Sequence, residues 1–378
     1  MLLRARIPCL TAALLIAAPT AAAQRRDPEL VFVGSSVAGD SDPYWIVDVA
    51  NEELVFHGRA LEADNVSAAS WDARAGELVT VATLGRVLCR VSGIGRGAPT
   101  WNVLTTRPHR PHGLAVDLER GRAYTLEGDS SGQRALLAID DTPGSARRGD
   151  VLARCTDWVG SSAERWTLSP SGRFAVVPTM LMQNGAVSWI DTDPASPNYM
   201  RMVGNCAVPD VDSFAFCGAV ELSPDEQFAV LAIARVSGSV LARLHLSTRR
   251  WVDCDLNSPG VQHRRLGYRD VNSMALAHDG SFAFVAGASG VGWLVRADFE
   301  PLAPSEVALR EVAFGQGLLE GVRNLEISPD GRRLAYTRVR PERLVVLDIA
   351  TGEPLSAVDL PDAKNLTSVA WCSGAKKF

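Results

Sequence analysis

The sequence predicts an all-β chain, a seven-bladed β-propeller whose N- and C-terminal strands close one shared blade. Three observations carry that expectation. A short motif, sharpest at Leu325–Asp330, recurs as Leu168–Gly172, Leu222–Glu226, Leu276–Gly280 and Ile327–Gly331, flanked each time by alternating apolar stretches. The copies recur about every 45 to 55 residues, the period of strand–turn–strand units set around an axis, whereas a sandwich places strands about every 8 to 12. The two ends are complementary: Leu30–Val33 matches a second strand with no first strand before it, and Thr367–Cys372 matches a first strand with no partner after it.

Aligned on the turn, seven inner strands follow in order: Ser67–Asp72, His112–Asp117, Glu164–Ser169, Gly218–Ser223, Asn272–Ala277, Arg323–Ser328 and Thr367–Cys372. Third strands recur at Trp45–Asp48, Leu137–Asp140, Ser188–Asp191 and Val346–Asp348. One alternation of the inner strands is large and apolar: Trp71, Val116, Leu168, Leu222, Leu276, Ile327 and Trp371. These side chains are expected to pack between blades. The opposite alternation is small (Ser70, Ala115, Thr167, Ala275, Ala370), as close approach to an axis requires, except at Glu221 and Glu326. A carboxylate near the axis is costly unless paired, hydrated or metal-bound, and Arg165 and Arg323 in the same strands offer counter-charge.

Pro111–Asp117 with Arg122–Thr125, and Ile327–Tyr336 with Val346–Gly352, resemble the YVTN-type and WD-repeat-like propellers of exported bacterial proteins. The likeness rests on turn residues, strand alternation and a Thr-Gly turn, and it covers nearly the whole chain after residue 23. It departs from the sharpest form of the pattern, since Tyr-Val-Thr-Asn is replaced by Ala335-Tyr336-Thr337. The resemblance implies architecture. The group includes binding proteins, sugar-lactone hydrolases and oxidoreductase subunits, so function stays open.

Residues 1–23 read as a signal peptide, with 24–378 as the propeller. Arg4 and Arg6 give a positive start, Ile7–Ala18 a short apolar run, and Ala21–Ala23 a small-residue cleavage site before Gln24. A secreted or periplasmic protein is therefore expected, with no membrane span and a monomeric state. The 378 residues carry a net charge of -5, which argues against nucleic acid as a partner. Export permits disulfides, and Cys206 and Cys217 bracket a loop without periodicity, so a bridge is expected there. Cys89, Cys155, Cys254 and Cys372 lie on different repeats and are left unpaired in this reading.

No catalytic constellation stands out. Gly128–Gly132 matches G-x-S-x-G, but it falls between two strands rather than before a helix, so it reads as a turn. Gly93–Gly97 lacks the Lys and Ser/Thr of a phosphate loop. Asp191/Asp193 and Asp253/Asp255 lack the glycine and distal glutamate of a calcium loop. His109 and His112 form the one close histidine pair, and His278 stands where other repeats carry Pro.

The candidate ligand-binding residues are His109, His112, Arg165, Glu221, Asn272, Arg323, Asn324 and Glu326. They belong to a polar mouth that also takes in Asp64, Asn65, Arg110, Glu164, Asp212, Arg269, Asp270, Glu320, Lys364 and Asn365. Such a mixed-charge ring suits a protein, peptide or glycan partner. A non-catalytic binding propeller without a cofactor is the leading expectation. The alternatives are a lactonase-like hydrolase using a divalent cation held by channel acids, and an oxidoreductase subunit.

Overall fold

A computed structural model describes residues 27–35, 42–60, 65–128, 134–157, 165–179, 185–208, 215–235, 240–251, 264–265, 271–287, 293–299, 308–311 and 320–372. All regular elements among them are strands, gathered into seven antiparallel sheets. Each sheet is one blade, numbered here by its innermost strand.

Blade 1 is built from both ends of the chain. Its strands run outward as Leu366–Trp371, Leu30–Ser35, Asp42–Asp48 and Glu53–Ala60. Phe32 pairs with Ala370 and Val33 with Val369, and the Cys372 N–H donates to the Leu30 carbonyl at 2.8 Å. The closure expected from the complementary ends is therefore present, and it removes two open sheet edges at once.

The other blades are continuous in sequence. Their inner strands are Val66–Asp72 (blade 2), Pro111–Asp117 (3), Thr167–Leu168 (4), Ala215–Leu222 (5), Val271–Leu276 (6) and Glu320–Ile327 (7). Blade 4 has the shortest, two residues where the repeat suggested six. Blade 5 carries a fifth short strand, Arg264–Arg265, beside Val240–His245.

The recurring turn earns its composition from hydrogen bonding. In blade 7 the Ser328 hydroxyl donates to Asp330 at 2.5 Å and accepts the Arg333 N–H at 2.9 Å. The Gly331 N–H closes the turn onto the Ser328 carbonyl at 2.8 Å with φ at 71°. Only glycine takes that left-handed conformation without cost. Blades 4 and 6 repeat it with Gly172 and Gly280, whereas blade 5 places Glu226 there at φ 58°.

Packing follows the alternation. Seven apolar clusters occupy the seven blade-to-blade interfaces, and each of the seven large inner-strand residues lies in or against one of them. Trp371, 2% exposed, fills the interface of blades 7 and 1 with Trp45, Leu344 and Val346. Burying a side chain of this kind contributes roughly 1.5–3 kcal/mol.

The expected Cys206–Cys217 disulfide is absent. Both are free thiols, as are Cys89, Cys155 and Cys372 among the described residues, while Cys254 lies outside them. Cys206 stands on the outermost strand of blade 4 and Cys217 on the innermost strand of blade 5, so their separation spans a blade rather than a loop neck. Each thiol donates locally instead, Cys206 to the Arg249 carbonyl at 3.4 Å and Cys217 to Ala219 at 3.1 Å.

Candidate functional site: an axial carboxyl pair

The inner strands of blades 5, 6 and 7 converge on a cavity of about 420 Å³. Its walls are mostly hydrocarbon: Leu222, Ala275, Leu276, Leu325 and Ile327, with Pro170 and Pro224 from the neighbouring turns. Three ionisable groups interrupt them, Glu221, Glu326 and His278. The two glutamates occupy the same repeat position, one residue before the end of their strands.

Among the described residues neither carboxyl meets a cation. Glu326 accepts the Trp371 backbone N–H at 3.1 Å, and its own carbonyl takes the Trp371 indole N–H at 3.1 Å, so the side chain is fixed by the closing strand. Glu221 has no hydrogen bond or ion pair among the described residues. Burial pushes its pKa up from 4.5 to about 7. Burial also raises Glu326, to about 8; the Trp371 N–H works against that shift and the charge of Glu221 adds to it. At neutral pH the pair therefore holds a proton that exposed carboxylates would release. His278 Nε2 lies 2.9 Å from the Ser328 carbonyl and donates to it, which orients the ring against the blade 7 turn.

The structure divides the residues that the sequence gathered into one mouth. Glu221 and Glu326 lie towards the hairpin-turn face. His112 and Asn272 are second residues of their strands, at the opposite end. Arg323 stands three residues before Glu326, about 10 Å along an extended strand. The counter-charge expected from Arg165 and Arg323 is not supplied: no ion pair joins either to Glu221 or Glu326 among the described residues. Arg165 is exposed, and its charge acts on the Cys217 thiol.

Several nominated residues have backbone tasks. His109 Nδ1 donates to the Gly128 carbonyl at 2.7 Å, and the Gly128 N–H donates back at 2.9 Å. Asn324, at φ 54°, donates to Thr337 Oγ1 at 3.1 Å and to the Leu366 carbonyl at 2.9 Å, tying blade 7 to blade 1. Asn65, Arg110 and Asn365 each precede an inner strand with positive φ, 65°, 49° and 47°. Asn is favoured there because its short polar side chain tolerates the left-handed region. The His112 carbonyl accepts the Trp166 indole N–H at 3.3 Å. Asp64, Glu164, Asp212, Arg269 and Asp270 lie outside the described residues, as do residues 129–133 of the G-x-S-x-G match and residues 253–255.

His278 was legible as the departure from Pro in the repeat, but its place beside the glutamates follows only from the ring. Among the described residues no three His, Cys, Asp or Glu side chains gather in a way that could hold a metal ion, so the carboxyl pair lacks the ligand count of a dedicated metal centre. Among the same residues no helix is long and apolar enough to cross a membrane.

No family model matches the chain, and no curated protein matches it. Solved structures do. A hypothetical selenium-binding protein from Sulfolobus tokodaii superposes with a TM-score of 0.65 at 13% identity, covering 93% of this chain and 95% of that one. Hydrazine synthase from Kuenenia stuttgartiensis gives 0.61 at 14% identity over 82% of this chain and 91% of that one. A proposed 6-phosphogluconolactonase from Bacteroides uniformis gives 0.60 at 14% identity over 92% and 100%. At such identities the likeness shows the propeller fold and nothing of the chemistry.

Proposed function

We propose that the protein is an exported, ligand-binding propeller of the YVTN-type group. In this reading residues 1–23 direct export and are removed, and the axial cavity of blades 5 to 7 receives part of a protein, peptide or glycan partner without transforming it. One observation carries the proposal: two carboxyls share a cavity of about 420 Å³ with no counter-charge among the described residues. An unpaired carboxyl pair costs stability, and folds retain such groups where a ligand supplies the missing partner.

The test compares the mature protein with E221Q and E326Q in capture of binding partners from the source organism's envelope fraction. Loss of capture in variants that melt at or above the parental temperature supports the reading. Capture unaffected by both substitutions sinks it.

A second reading is a lactonase-like hydrolase. The favouring observation is the placement of two carboxyls in one cavity, both raised by burial towards the neutral range. That is what general acid–base hydrolysis asks for, and the fold is shared with a proposed 6-phosphogluconolactonase. Lactone hydrolysis followed by pH-stat, present in the parent and lost in E221Q, would replace the binding reading with this one.

A further inference from the structure

We infer that the axial cavity is built for a primary alkylammonium group on a short aliphatic stem, carried by a free amine or a lysine side chain. The inference rests on the channel being the binding site, and it names the ligand chemistry that the site selects. Charge sets the head group. Glu221 and Glu326 are acceptors once ionised, and neither has a cation beside it among the described residues. An ammonium group brings three N–H donors and one positive charge to that gap.

The walls set the rest of the ligand. Leu222, Leu276, Ile327 and Ala275 present hydrocarbon around the carboxyls. Hydrocarbon favours a methylene stem and disfavours the ordered water that a small hard cation keeps. A calcium or magnesium ion needs about six oxygen ligands. Two carboxyls that gather with no third ligand group among the described residues do not provide them. His278 does not change this balance, since its Nε2 is engaged with the Ser328 carbonyl at 2.9 Å. An anion is disfavoured by the sign of the ionised pair, and a neutral alcohol brings no charge to meet it. The volume, about 420 Å³, accommodates a short amine with a few waters.

The experiment is isothermal titration of the mature protein with n-pentylammonium, N-acetyl-lysine-N-methylamide, 1-pentanol, pentanoate, calcium chloride and magnesium chloride. The amine is expected to bind, and the alcohol and carboxylate about tenfold or more weaker or not at all. E221Q and E326Q should each weaken the amine by about tenfold while melting no lower than the parent. Equal binding of pentylammonium and the lysine derivative assigns a side-chain-sized head group; binding of the free amine alone assigns a small-molecule ligand.

Amine binding no tighter than pentanol, or calcium or magnesium binding in its place, overturns the inference. If partner capture is still lost in E221Q, the channel reading survives that failure. If capture also persists in E221Q, both fall.

Discussion

Glu221 and Glu326 hold their protons more tightly in the folded protein than in an unfolded chain, and that sets a direction for stability against pH. The unfolded carboxyls release protons around 4.5, the folded ones around 7 and 8. Between those values the native state binds more protons than the unfolded state, so stability falls as pH rises from about 4.5 through 8 and levels beyond. Among the described residues, His278 on the cavity wall and the buried Cys372 thiol, raised by burial and by the charge of Glu326, are the other titratable groups beside the pair. Because both glutamates keep some contact with solvent, each contributes on the order of 1–2 kcal/mol rather than the full value of its shift. Glutamine removes the titration and still accepts the Trp371 N–H at position 326. E221Q and E326Q are therefore expected to be more stable than the parent at pH 8.5 and near parental at pH 5, read by urea unfolding at both values. A constant difference across that range would mean the carboxyls are not buried as described. The pair was legible in the sequence because it breaks a run of small residues. Its lack of counter-charge was not, because three residues along an extended strand move Arg323 about 10 Å away from Glu326. Closeness in sequence is not closeness along the axis.

At the scale of the blade, sequence and structure agree where periodicity decides and part where a single buried group does. The inner strands of blades 2, 3, 5, 6, 7 and 1 begin and end within a few residues of the repeat's expectation, since alternation fixes register wherever one face is buried against a neighbouring blade. Blade 4 is shorter: Trp166 leaves the strand to lie over Gly113, where an added Cβ would stand 2.6 Å from the indole nitrogen. No pattern announced the Arg90 network. Arg90, 3% exposed on the third strand of blade 2, donates to Asp72 and Glu77 in its own blade and to Asp141 just after the third strand of blade 3. Burial opposes its charge, but Asp141, then Asp72 and Glu77, more than offset this and leave the guanidinium pKa raised. Arg148 also reaches Asp141, at 3.3 Å. Replacing Arg90 by Met keeps much of the volume, leaves Asp72 without its cation and leaves Asp141 with Arg148 alone. The expected loss is about 3–5 kcal/mol in chemical denaturation. Adding D141N should recover part of it. A loss below about 1 kcal/mol would show that the network is hydrated rather than sealed.

The whole molecule depends on one joint. Blade 1 takes its innermost strand from Leu366–Trp371 and its other three from residues 30–60, so the ring closes only through the pairing of Leu30–Ser35 with that strand. This was readable from the two ends because each supplies what the other lacks. Deleting residues 367–378 removes Ala370, fully buried between blades 1 and 2, and Trp371, which fills the interface of blades 7 and 1 and fixes Glu326. It also bares the inner edge of Leu30–Ser35, an unpaired strand beside the axis. Two interfaces would thus lose contacts together, and the loss should exceed that of any single core substitution. The truncated protein is expected to melt more than about 10 °C lower, with a van 't Hoff enthalpy well below the calorimetric one as blades uncouple. A synthetic peptide spanning Thr367–Phe378, added in trans, should restore part of the temperature by refilling the inner position. Loss of amine binding should accompany the truncation, because the strand that clamps Glu326 is gone. Should the shortened chain instead unfold at the parental temperature in one sharp transition, the joint does not hold the ring, and the cavity could not be positioned by it.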